Sequence, residues 1–95
     1  MPDSTYNYNM RVVELRDLRR KDSPLHYIKE LTAVAVVEWN EGRSENEVAI
    51  TLEHKPIGPP DIQVRILDTV AWPTPTVIQS ISDMIGELER TGRLP

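Results

Sequence analysis

The sequence predicts an α+β fold in β-β-β-β-α order: an antiparallel meander of about four strands, with one C-terminal amphipathic helix packed on one face. Three observations predict it. Val77, Ile78, Ile81, Met84, Ile85 and Leu88 fall within about 120° of arc at helical spacing, the width of a core-facing stripe. Most of the preceding chain, from Tyr6 onward, alternates apolar and polar residues with a period of two, as strands do. The interruptions are short and rich in Pro, Gly, Asn and Asp, so neighbouring strands are joined in sequence.

The first strand begins where Tyr6, Tyr8, Met10 and Val12 alternate with Asn7, Asn9 and Arg11. The phase then slips, because Val13 and Leu15 continue the apolar set on the opposite parity. A β-bulge near Val12 and Val13 repairs the register. A helix over residues 10–20 competes with this reading, because Glu, Leu, Arg and Lys are good helix formers. Residues 16–24 (RDLRRKDSP) are polar, end in proline and read as a long hairpin connection.

The second strand covers residues 27–39. Leu31, Ala33, Ala35, Val37 and Trp39 lie on one face, with Thr32, Val34 and Val36 on the other. Both faces are apolar, which places this strand centrally. Residues 40–44 (NEGRS) form a turn, with Gly42 available for a positive φ. Residues 46–54 form the third strand, with Val48, Ile50 and Leu52 opposed to Ala49, Thr51 and Glu53.

Residues 55–61 (KPIGPPD) hold three of the eight prolines and break the regular structure. The fourth strand covers residues 62–69, with Ile62, Val64 and Ile66 on one side and Gln63, Arg65 and Leu67 on the other. Trp72, Pro73, Thr74 and Pro75 make a rigid corner. Thr74 suits the helix N-cap and Pro75 the first helical position, where its missing N–H costs nothing. The helix runs to about Arg90, and Gly92 fits the residue just past its end. Gly86 falls on the polar side of the helix, at a cost of roughly 1 kcal/mol relative to Ala.

At 95 residues the chain reads as one domain, 1–95, with residues 1–5 expected to be disordered. With two Trp, three Tyr and no Phe, the core must come from Val, Ile, Leu and Ala. A core that modest favours self-association, which buries more apolar area. A chain without cysteine has neither disulfides nor a Cys-ligated zinc site, and an intracellular, cytoplasmic home follows as the expectation. MPDSTYNYN lacks the charged and apolar regions of a signal peptide. The apolar run over residues 33–37 is far too short to span a membrane, so no membrane partner is expected.

Four antiparallel strands followed by a C-terminal helix resemble, in element order, the single-stranded-DNA-binding transcriptional coactivator and Whirly-type fold, which also dimerises. The resemblance lies in topology. No residue motif of this chain carries it, and no functional residue follows from it.

Chemistry is hard to find. His26 and His54 are the two histidines. Strand pairing would bring them toward each other, with Glu30 or Glu53 nearby, as a His/His/carboxylate metal cluster would require. No HxH or HxxxH spacing supports this, and two solvated polar residues at strand ends is the plainer reading. Serines 4, 23, 44, 80 and 82 lie in no G-x-S-x-G setting, and the four glycines form no phosphate loop. No catalytic residue, metal or cofactor is therefore assigned.

Net charge is −4, but unevenly spread: residues 1–30 carry six Lys/Arg against five Asp/Glu, and residues 31–95 carry five against ten. The basic cluster Arg11, Arg16, Arg19, Arg20 and Lys21 is the candidate nucleic-acid patch, with Tyr6, Tyr8 or Tyr27 available for base stacking. Asp17 and Asp22 dilute it, and the acidic balance of the chain opposes it. Glu38, Glu41, Glu45 and Glu47 suit a solvated hairpin tip and lack the spacing of a calcium loop. A sheet with one helix leaves its second face bare, so Val34, Val36 and Leu67, with Trp72 at the corner, form the candidate interface. The leading expectation is a small protein-interaction module (an adaptor, accessory subunit or inhibitor) that forms a homodimer.

Overall fold

The structure, a computed structural model, describes residues 10–95. The expected disorder of residues 1–5 and the expected strand start at Tyr6 and Tyr8 lie outside the described residues. Among the described residues, four strands and one helix follow in the expected order: β1 (Arg11–Lys21), β2 (Ile28–Trp39), β3 (Gly42–Glu53), β4 (Asp61–Ile66) and α1 (Pro75–Arg90). The strands form one open sheet in sequence order, every neighbouring pair antiparallel.

The core lies between this sheet and α1. Leu31, Ala33, Ala35 and Val37 of β2 and Val48, Ile50 and Leu52 of β3 point toward the helix. They close on Val77, Ile81 and Ile85, and all ten are buried. Fully burying a Val or Ile side chain contributes roughly 1.5–3 kcal/mol. That packing holds α1 in place, because a sixteen-residue helix is marginal alone. Leu88 joins the core from the same stripe.

α1 opens as expected in position but not in bonding. Thr74 is the N-cap and Pro75 opens the helix, but Thr74 already has helical dihedrals, so its hydroxyl caps no N–H. The C-terminus is closed by a Schellman motif. The Arg93 N–H donates to the Leu88 carbonyl at 2.8 Å and the Gly92 N–H to that of Glu89 at 3.1 Å. Gly92 supplies the positive φ of 72° that this closure needs. Gly86 does not sit on the polar side of the helix: a Cβ there would meet Ile62 Cδ1 of β4 at 3.5 Å.

β1 departs most from expectation. Residues 16–21 continue the strand rather than forming a loop. Its register against β2 shifts twice, between Val12 and Glu14 and between Arg16 and Arg19. The first shift is the expected bulge at Val13. The second is centred on Asp17, whose φ of 53° is a conformation Asp tolerates better than most residues. The bulges bring Met10, Val12, Leu15 and Leu18 all onto the core side. Their spacing of two, three and three explains why a helix competes in the sequence.

Two further boundaries move. The β2–β3 turn is only Asn40 and Glu41; Gly42 already pairs with Trp39, without a positive φ, and lies against the indole. β4 stops at Ile66, before the expected residue 69. The Leu67 N–H still donates to the Glu47 carbonyl at 2.9 Å. Then the Asp68 carboxylate replaces the backbone as acceptor, taking the Glu47 N–H at 3.0 Å and the Asn46 amide at 3.4 Å.

Candidate functional site

Alternation assigns every strand residue to the helix side or to the open side of the sheet. On the open side, β2 presents Thr32, Val34 and Val36 along the middle. β1 contributes Arg11, Glu14, Arg16, Arg19 and Lys21, because the two bulges return these residues to one face. β3 contributes Arg43, Glu45, Glu47, Ala49, Thr51 and Glu53. A mainly basic row and a mainly acidic row thus flank an apolar strip.

One ion pair crosses that strip. Arg16 lies opposite Val34 and Glu45 opposite Val36, on the strands either side of β2, and their side chains meet over it. Val36 beneath is fully buried, although it faces away from the helix. The Arg16 Nε is shut off from solvent and has no hydrogen-bond partner among the described residues. The strap covers part of the face that seemed bare in sequence.

The rest stays open. Val34 and the half-exposed Leu67 share a shallow depression of about 340 Å³ with Asp17, Arg19, Thr32 and Glu47. Two of the four candidate interface residues therefore come together. Val36 lies under the strap, and Trp72 packs on the core.

The candidate basic patch divides. Arg11 pairs with Glu38 at 3.7 Å and Arg16 with Glu45, so both are partly neutralised. Arg19 and Lys21 are exposed on the open face and form no ion pair among the described residues. Arg20, opposite Leu31, faces the helix side. Tyr27 is half-exposed at the start of β2. In the acidic set, Glu38 and Glu45 carry those ion pairs, while Glu41 lies in the turn and Glu47 is exposed on β3.

The histidines do not gather with the carboxylates considered for them. His54 lies on the helix side, its Nε2 2.9 Å from Glu89 Oε2, whereas Glu30 and Glu53 face the open side. Lys29 approaches Glu89 Oε1 at 3.7 Å. The His54 hydrogen bond, and then the Lys29 charge, hold the Glu89 carboxyl below the usual glutamate range, against the opposing effect of burial. Among the described residues, no cluster of three or more His, Asp or Glu is placed to hold a metal. The Glu89 contact had no local signal in the sequence: it arises because α1 runs back along the sheet and ends beside His54.

The model of the BB_0187 family matches residues 8–90. The chain belongs to the BB_0187 family. No curated protein and no solved structure matches it. The span matched by the family takes in all four strands and α1, and so includes the open face as well as the core.

Proposed function

We propose that this member of the BB_0187 family is a small protein-interaction module, an adaptor, accessory subunit or inhibitor, that works as a homodimer through the open face of its sheet. The observation that carries this reading is the layer count: one helix covers one face. On the other face Leu67 is 49% exposed beside Val34, between unlike rows of charge. An uncovered sheet surface of that composition suits recognition of protein better than catalysis. A cytoplasmic setting belongs to the same reading, supported by a chain that has no cysteine to oxidise. No helix is long and apolar enough to cross a membrane. The test is the native mass by size-exclusion chromatography with light scattering. A mass near twice 10.9 kDa supports the homodimer, and a monodisperse mass of 10.9 kDa at high concentration removes it.

One observation favours a second reading, a nucleic-acid-binding module. The bulges of β1 align Arg11, Arg16, Arg19 and Lys21 on one face, an arrangement that can follow a phosphate backbone. Glu45 and Glu47 on the same face repel such a ligand. This reading requires single-stranded DNA binding that weakens steeply with salt and disappears in an Arg16→Glu, Arg19→Glu, Arg20→Glu variant. Binding that survives those changes eliminates the mechanism.

A further inference from the structure

We infer that the open face is self-complementary, and that its occupant is a second copy of the chain stacked about a two-fold axis running along β2. The inference rests on the homodimer reading above and specifies its surface and its chemistry. Four exposed charges carry it. Arg19 and Lys21 on β1 and Glu47 and Glu53 on β3 project from the open side, and none forms an ion pair among the described residues. Within one chain β2 separates the two rows; Arg16 and Glu45 meet across it, but these four do not.

Rotation by 180° about an axis along β2 places β1 of one copy over β3 of the other, twice, because an isologous contact repeats itself. β2 then faces its own copy, and the two Val34 side chains meet beside the axis. The register fixes which charges approach. Arg19 pairs with Thr32, which pairs with Ala49, and Glu47 lies two residues further along β3. Two residues of strand span about 7 Å, within the reach of an arginine and a glutamate extended toward each other. By the same steps Lys21 comes level with Thr51, two residues from Glu53.

Each row has one residue of the opposite sign, and the symmetry accommodates both. Glu14 in the basic row comes level with Glu45, two residues from Arg43, the odd residue of the acidic row. The exceptions therefore meet each other diagonally. Other arrangements fit less well. An axis across the strands would set β1 on β1 and oppose like charges. Edge-to-edge pairing is hindered by the two bulges of β1 and by the shortness of β4, at six residues.

The test uses two charge-reversed variants and their mixture. The first carries Arg19→Glu and Lys21→Glu; the second carries Glu47→Lys and Glu53→Lys. In either variant alone both rows have the same sign, so each is expected to run as a monomer by light scattering. Mixed in equal amounts, they present an acidic β1 to a basic β3 and a basic β1 to an acidic β3. The mixture is expected to recover the dimer mass. Because all four side chains are exposed, each variant is expected to keep the circular dichroism of the wild type. If a reversed variant does not fold, the neutral pair Arg19→Gln/Lys21→Gln and Glu47→Gln/Glu53→Gln replaces it, with dimer Kd expected to rise at least about tenfold in each.

A dimeric wild type whose folded variants all stay dimeric with unchanged affinity overturns this inference and leaves the homodimer reading in place. Monomeric variants whose mixture stays monomeric overturn the β1-on-β3 pairing. A monomeric wild type overturns both.

Discussion

At the scale of single residues, small contacts in α1 have measurable consequences. Gly86 is a helix-interior glycine with no conformational need for glycine. A methyl group there would touch Ile62 Cδ1 at 3.5 Å, an ordinary van der Waals distance. Gly86→Ala is therefore expected to raise stability by up to roughly 1 kcal/mol in urea unfolding, through lower chain entropy and a small gain in contact. A loss of stability would mean that α1 and β4 cannot take the extra carbon. Glu89 makes a pH-dependent prediction. Its pKa is depressed in the folded chain, first by the His54 hydrogen bond and then by Lys29. A carboxylate of that kind contributes stability in full above its unfolded pKa, about 4.3, and loses it as the pH falls through the lower folded value. Glu89→Gln is expected to cost roughly 1 kcal/mol or less at neutral pH and to flatten the stability profile below about pH 4. An unchanged acid limb would show that this contact is too weak to matter.

The elements show what could be read in the sequence and why the rest could not. β2, β3 and the stripe of α1 keep their periods unbroken, and each was legible because one face is buried without interruption. β1 was legible only in its first half. Each bulge adds a residue, so after Val13 and Asp17 the apolar positions no longer fall on one parity, and a run such as RDLRRK looks like loop. The same bulges decide which of Arg16, Arg19, Arg20 and Lys21 share a face, so the composition of the candidate site was hidden while its residue types were plain. The end of β4 was missed for another reason: Asp68 completes the ladder with a side chain, which no pattern of hydrophobicity records. The strap over β2 makes a prediction at this scale. If the Arg16 stem, and not only its charge, keeps water from Val36, Arg16→Ala should destabilise the fold by about 1 kcal/mol while Arg16→Met restores most of the loss. Equal losses in the two variants would assign the effect to the ion pair with Glu45.

At the scale of the whole molecule, layer count links stability to partnership. The buried core is a single seam, formed by one side of β2 and β3 against one stripe of α1. The strap buries Val36 on the far side, but Val34, Thr32 and Leu67 have no second layer over them. In the dimer inferred here, stacking adds apolar contact along β2 and satisfies four charges per copy. Folding and association are then linked by mass action: a partner that binds only the folded chain raises its apparent stability in proportion to the logarithm of concentration. The thermal midpoint is accordingly expected to rise with protein concentration in a dilution series spanning about two decades. The Arg19→Glu/Lys21→Glu variant should show no such rise, because its rows repel, and added salt should flatten the wild-type slope by screening the rows from each other. A midpoint independent of concentration in the wild type would mean that the one seam stabilises the fold alone, and that the open face is not occupied by a second copy.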